Sequence, residues 1–369
     1  MGKKKILIVS QSFYPVNSPR AFRATELAKE FARQEHEVTV LTSFNNDLHD
    51  EFGKKHKVSF KDLGIKKWSP VEIKGGFFEK TIRRAVSRAS LMLFEYPDIQ
   101  IMPMVTRALK KEQGYDLLIS IAVPYPVHWG VAKIRTKKRN IAEKWVADCG
   151  DPYMGDEIDT FRKFFYFKYL EKWFMRKADF VTIPVANAIK GYYPEFHNKI
   201  RIIPQGFNFG EIKLPAEPIN NKPVTFAYAG NLVPKSRDPR PFLEYLSTLD
   251  ADFRFVVFTK KTELISPFKE KLKDKLEVRD YLDRDELLEF LAAMDFLVNF
   301  DNISDTHVPS KLIDYTLVKR PILNIGSTFD KEKVCRFLNG DYSGKLMVEN
   351  PEQYNIKNVT KRFLELLNE

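Results

Sequence analysis

Short apolar runs alternate with amphipathic stretches along most of the chain. The first run, KKILIVS (4–10), passes through the polar loop QSFYPVNSP into the helical period of RAFRATELAKEFARQE, then into HEVTVLTS. An apolar run, an amphipathic helix and a second run predict a βαβ unit, with parallel strands and a right-handed crossover. Further strands are expected at YDLLISIAV (115–123), KWVADC (144–149), DFVTIPV (179–185) and KIRIIPQG (199–206), with helical patterns between most of them. Residues 209–222 are rich in Pro and Asn and carry little periodicity, as a linker does. A second series follows: VTFAYAGNL, helix FLEYLSTL, strand FRFVVFTK, helix RDELLEFLAAM, strand MDFLVNF (294–300), and then HVPSKLIDYTLVKRPILNI (307–325).

Two successive series of this kind predict an α/β protein of two Rossmann-like, doubly wound domains facing across a cleft. The expected boundaries are 1–208 for the first domain, 209–222 for the linker and 223–350 for the second. A terminal helix over 351–369 would pack back toward the first domain. At 369 residues there is length for two cores. The opening MGKKKILIVSQSF has only five or six apolar residues and no small-residue cleavage site, so it is expected to be a first strand and not a signal peptide. No run of eighteen apolar residues occurs, and none is expected to span a membrane. Two cysteines, Cys149 and Cys335, are too few for a disulfide framework or a zinc pattern and suit a reducing compartment.

The net charge of +11 favours an anionic partner. In FFEKTIRRAVSRASLMLFEY a helical period puts Phe78, Ile82, Ala85, Val86, Ala89, Met92 and Leu93 on one face. Lys80, Arg83, Arg84 and Arg88 fall largely opposite. FRKFFYFKYLEKWFMRK crowds aromatics among Arg162, Lys163, Lys168, Lys172, Arg176 and Lys177. Both have the character of interfacial helices on an anionic membrane surface, or else of core-facing helices with a solvated basic back.

The chemistry concentrates at strand ends. In the segment from His307 the loop opens a helix, whose first N–H groups and dipole attract an anion. Ser310 can cap there, Lys311 adds a charge, and Asp314 follows one turn along the same face. Gly230 and Asn231 follow a strand where backbone could approach phosphate, with Lys235 and Arg237 just beyond. At the first helix, Ser18 precedes Arg20 and Arg23, two cations that oppose the local helix dipole unless an anion lies between them. Pairing of Arg23 with Glu26 or Glu30 is the alternative. Asp148 and Asp151 end a buried strand at a Gly-containing turn, and either could deprotonate a hydroxyl. His128, beside Trp129, is a further candidate base, though a lone histidine there also suits packing. The DxD triplet at Asp283 fits an N-cap, with Glu286 completing a capping box. No Walker loop, GxGxxG or HExxH pattern is present.

Read in order, FYP with Arg23, ELAKEF and HEVTVLT, then VADCGDPY, LEKWFMRKADFVTIPV with IRIIPQGFN, FAYAGNL and VPSKLIDYTLVKRPIL resemble the GT-B glycosyltransferases of the large retaining family that includes bacterial surface-polysaccharide enzymes. The resemblance spans nearly the whole chain. It implies transfer of a hexosyl or N-acetylhexosaminyl group from a nucleotide-sugar, UDP-linked by preference, to a lipid-linked or polysaccharide acceptor. It further implies retention, no cofactor and no metal, at the cytoplasmic face of the cell membrane; separately, the sequence has no RRM, KH or helix-turn-helix pattern, so no nucleic-acid partner is expected. Gly230, Asn231, Lys235, Arg237, Ser310, Lys311 and Asp314 would bind the donor nucleotide. Ser18, Arg20 and Arg23 would contact acceptor or phosphate, and Asp151, Asp148 or His128 would serve catalysis. Three departures stand out. The family's paired glutamates are here Thr306 and Asp314, its loop glycines are Asn17 and Ser18, and Gly150 stands where many members carry histidine. A nucleotide-sugar epimerase of the same fold and a non-catalytic membrane-surface protein are the alternatives.

Overall fold

A computed structural model describes residues 2–65, 77–136, 139–155, 163–210, 219–234, 237–300, 310–348 and 350–369. The chain divides into two compact units, Met1–Phe207 with Gln353–Glu369, and Asn208–Glu352.

The first unit is a seven-stranded sheet of β1 (Lys5–Ser10), β2 (Glu37–Thr42), β3 (Val58–Asp62), β4 (Tyr115–Ile121), β5 (Ala142–Asp148), β6 (Phe180–Ile183) and β7 (Ile200–Ile202). Their order is β3-β2-β1-β4-β5-β6-β7, every pair parallel. Parallel sheets need cover on both faces, and β1 shows how the sequence supplies it. Successive side chains alternate across a strand, so Leu7 and Val9 join Trp129, Trp145 and Phe174 on one face. Ile6 and Ile8 join Leu27, Phe31 and Phe363 on the other.

Phe363 belongs to the terminal helix, Ile356–Glu365, which closes against the Pro19–Arg33 helix. Ile356, Val359 and Phe363 are fully buried, and Gln34 Nε2 donates to Thr360 Oγ1 at 2.8 Å. Backbone bonds from Phe207 N–H to Tyr354 O and from Ile356 N–H to Phe207 O fasten its start.

The second unit holds β8 (Val224–Ala229), β9 (Phe253–Phe258), β10 (Leu276–Arg279), β11 (Phe296–Phe300) and β12 (Ile322–Ile325). They are parallel in the order β10-β9-β8-β11-β12. Aromatic stacking dominates its core, with Phe226 lying flat on Phe255 and Phe296. Strand order reverses between β1 and β4 in one unit and between β8 and β11 in the other. Ligands of open α/β sheets sit outside the carboxyl ends of strands at such switch points.

The two basic aromatic stretches turn out differently. The Phe77–Phe94 helix is exposed from Thr81 to Ala89. In the second stretch the helix is Phe167–Lys177, and it turns Phe167, Glu171, Phe174 and Met175 into the core. That helix is core-facing, as its alternative reading had it, because Phe167, Phe174 and Met175, with Glu171 between them, recur at helical spacing on its buried face.

Candidate functional site

In the first unit the side chains expected at the strand ends do converge, but into a closed ion cluster. Ser18 caps the Pro19–Arg33 helix, its Oγ accepting from Ala21 N–H at 3.3 Å. One turn on, Arg23 is 2% exposed. Its Nη2 donates to Asp148 Oδ1 at 2.8 Å and its Nε to Oδ2 at 3.2 Å. Arg20 Nη2 also reaches Asp148 Oδ2, and Thr182 Oγ1 donates to Oδ1 at 2.7 Å. Arg23 spends its remaining donors on the carbonyls of Ile203 and Pro204. The anion that the helix dipole demands between two cations is therefore Asp148, from the end of β5. Glu26 and Glu30 pair instead with Lys29 and Arg33.

Two of the candidate catalytic bases thus lie in the interior, each with its polar atoms engaged. Burial pushes the Asp148 carboxyl up, but Arg23 and Arg20 outweigh it and hold it below the ordinary range. A carboxylate bonded on both oxygens and held ionised in this way has no vacancy for an incoming proton. His128 is wholly buried, with Ser120 Oγ at 2.8 Å from Nδ1 and Cys149 Sγ at 3.5 Å from Nε2. Burial lowers its pKa to about 3. It sits in the core with both ring nitrogens beside polar side chains. Asp151 alone of the three faces solvent, with its carbonyl accepting from the Tyr125 hydroxyl.

A cavity of about 350 Å³ opens at the carboxyl ends of β1 and β3, lined by Gln11, Gly64, Ile65, Asp98, Ile101 and Met104 among others. Asp98 is the ionisable group there, its carboxyl pushed up by burial and by Glu95. Sequence reasoning missed it, because Asp98 sits in a short helical turn, Asp98–Gln100, with no periodic signal.

In the second unit, β8 ends on Gly230 at φ +147°, a backbone conformation that L side chains rarely adopt. A Cβ there would stand 3.1 Å from the Tyr228 hydroxyl. That hydroxyl donates to Asn231 O at 3.1 Å, and Tyr281 donates to Asn231 Oδ1 at 2.9 Å. Val233 and Arg237 exchange both backbone bonds, at 3.2 and 2.9 Å, which closes a small loop. Arg237 Nε is buried without a hydrogen-bond partner among the described residues.

Lys311 enters from the Ser310–Leu317 helix. Its Nζ lies 4.5 Å from the centre of the Tyr228 ring and 3.4 Å from Phe300 O, at the end of β11. A third cation, Lys260, stacks over Tyr281. Asp314 lies on the same helix as Lys311, and Arg284 Nη2 donates to its Oδ1 at 2.7 Å. Burial pushes the Asp314 carboxyl up while Arg284 holds it down. Lys235 and Thr306 lie outside the described residues, as does the Ser310 side chain.

Tyr228, Lys260, Tyr281 and Arg284 were not anticipated. Each reads in sequence as an ordinary strand, loop or helix residue, and only the fold brings them beside Gly230 and Lys311. Asp283 does precede the Arg284–Ala292 helix, but its side chain makes no capping bond. The expected capping box is absent there, and the helix begins on the Leu287 N–H to Asp283 O bond instead.

No protein-family profile matches the sequence, and no curated protein matches it. Solved structures do match over the whole chain. A glycosyltransferase from Rickettsia africae is similar at 13% identity and a TM-score of 0.62, covering 100% of this chain and 98% of that one. TarM is similar at 11% identity and 0.62, covering 100% and 99%. HepE from Anabaena, solved with UDP and glucose, is similar at 10% identity and 0.55, covering 99% of each chain. The chain has the GT-B fold that these glycosyltransferases share.

Proposed function

We propose that this protein is a glycosyltransferase whose second unit binds the diphosphate of a nucleotide-sugar, UDP-linked by preference, with protein cations and no metal. The observation that carries the reading is Arg237 Nε, buried and without a hydrogen-bond partner among the described residues, on a guanidinium whose charge acts on the Tyr228 hydroxyl next to Gly230. A guanidinium donor left unbonded in a protein interior costs stability unless a ligand completes it. Lys311 and Arg237 flank the Tyr228 hydroxyl side of that turn, where the open backbone at Gly230 admits phosphate. Aligned fixed charges of this kind stabilise a departing diphosphate. Asp314, one turn further along the helix, would accept from the ribose hydroxyls, with Arg284 fixing its orientation.

The acceptor would be lipid-linked or a polysaccharide. The cavity beside Asp98 suits it, with Asp151 as the exposed carboxylate able to orient a hydroxyl. Similarity to enzymes solved with UDP or UDP-glucose supports this reading. Retention, and a hexosyl or N-acetylhexosaminyl donor, belong to the same proposal by resemblance.

Thermal-shift titration with UDP, GDP and ADP tests it. A ligand that binds only the folded form raises Tm by mass action. UDP is expected to give the largest shift, and Arg237→Ala and Lys311→Ala to reduce it. Equal shifts in wild type and both variants would remove the assignment. Incubation of donor without acceptor separates transfer from epimerisation, since only an epimerase converts donor alone.

A further inference from the structure

The Phe77–Phe94 helix carries its apolar stripe outward. Ile82, Val86, Ala89 and Leu93 recur at helical spacing on one face, and all four are exposed, Val86 by 59%. Arg83 borders that stripe, and Arg84 and Arg88 lie largely opposite it. The helix is not an isolated hook. Glu95 N–H closes on Leu91 O and Tyr96 N–H on Ser90 O, while Phe164 N–H donates to Met92 O at 3.3 Å. That last bond joins two stretches far apart in sequence. Close by in the chain on either side of that bond, Phe94, Phe165 and Tyr169 are exposed by 64%, 61% and 59%.

Beneath the junction, buried Glu95 accepts from the Tyr153 hydroxyl at 2.8 Å and pairs with Lys163. The aromatic end of the patch is thus held on an ionic anchor. Charge and shape agree on the occupant. An apolar stripe bordered by Arg83, backed by Arg84 and Arg88, with exposed Phe and Tyr near its end, matches the boundary between acyl chains and anionic headgroups.

We propose that this face docks the protein on an anionic lipid bilayer. The inference stands on surface chemistry and does not rest on the nucleotide reading of the second unit. Where both hold, the cavity at Pro97 and Asp98, which follows the patch directly in the chain, would open beside the membrane, where a lipid-linked acceptor resides.

Cosedimentation of the full chain with phosphatidylcholine vesicles, with and without phosphatidylglycerol, tests the docking. Two variants are needed, Val86→Ser with Leu93→Ser, and Arg83→Glu with Arg84→Glu. Wild type should bind the anionic vesicles, weakly or not at all the neutral ones, and less as salt rises. Each variant should lose about tenfold or more in partitioning while keeping wild-type Tm and its UDP-induced shift. Wild type absent from anionic vesicles, or variants that partition like wild type, would overturn the proposal. So would a dimer in light scattering that Val86→Ser with Leu93→Ser dissociates, because a second copy would then cover the face. Vesicle binding without a UDP shift would refute only the nucleotide reading, and the reverse result only the docking.

Discussion

Asp148 holds two guanidinium groups in place, and the three charges are stable only together. Removing one partner of a buried ion cluster leaves the others desolvated and uncompensated, which costs about 3–5 kcal/mol. Asp148→Asn is expected to lose stability on that scale in chemical denaturation, with Arg20 and Arg23 left to repel each other. Loss of activity with unchanged stability would contradict a positioning role for this carboxylate and return it to the catalytic candidates.

Glu171 offers a sharper test. Its Oε1 accepts from Tyr153 N–H at 3.3 Å, but Oε2 is buried without a partner among the described residues. Burial raises its pKa to about 7 from an ordinary 4.5, against weaker opposing bonds. The folded state then holds a proton that the unfolded state has released. Stability should therefore be full below the unfolded value, fall as pH rises from about 4.5 to about 7, and level off above that. Glu171→Gln should flatten this slope and raise Tm at pH above the folded value. An unchanged pH profile in that variant would show that another group controls it.

Residues whose role follows from chain neighbours were legible. Gly230 was expected to leave a strand end open to close backbone approach, and it stands there at a positive φ; Ser18, expected to contact acceptor or phosphate, caps its helix instead. His128 and Asp148 were not legible, since a strand-end aspartate or a histidine near a turn looks the same whether it faces solvent or a guanidinium from a distant helix.

At the scale of elements, the terminal helix decides how the first core closes. Phe363 is fully buried, and the Arg23 guanidinium lies 5.2 Å from its ring centre. Phe363→Ala is expected to cost about 3–5 kcal/mol, read as a lower denaturation midpoint with little change in slope. A cost near zero would mean that the helix is not needed for that core. Central strands were visible in sequence because both faces are buried and the runs are continuous. β3 and β10 were missed. VSFKD and LEVR are short, lie at sheet edges, and carry at least as many polar as apolar residues. The second basic stretch left two readings open for a related reason: one helix can be cationic and aromatic while its buried stripe faces a core.

At the scale of the molecule, the alternation of runs and helices was enough for two doubly wound sheets, and ordered motifs were enough for the GT-B likeness. The site was less legible. Its cations come from three separate segments, around Arg237, Lys260 and Lys311, and nothing in their spacing announces that Tyr228 meets Lys311 and the charge of Arg237 while Tyr281 meets Lys260. The central claim is that these cations grip a diphosphate unaided. Isothermal titration of UDP into the full chain in the presence of EDTA measures it. The account predicts binding to wild type and affinity about tenfold or more weaker in both Arg237→Ala and Lys311→Ala, the loss of a charge-assisted bond. No heat without a divalent ion, or equal affinity in all three proteins, would contradict it.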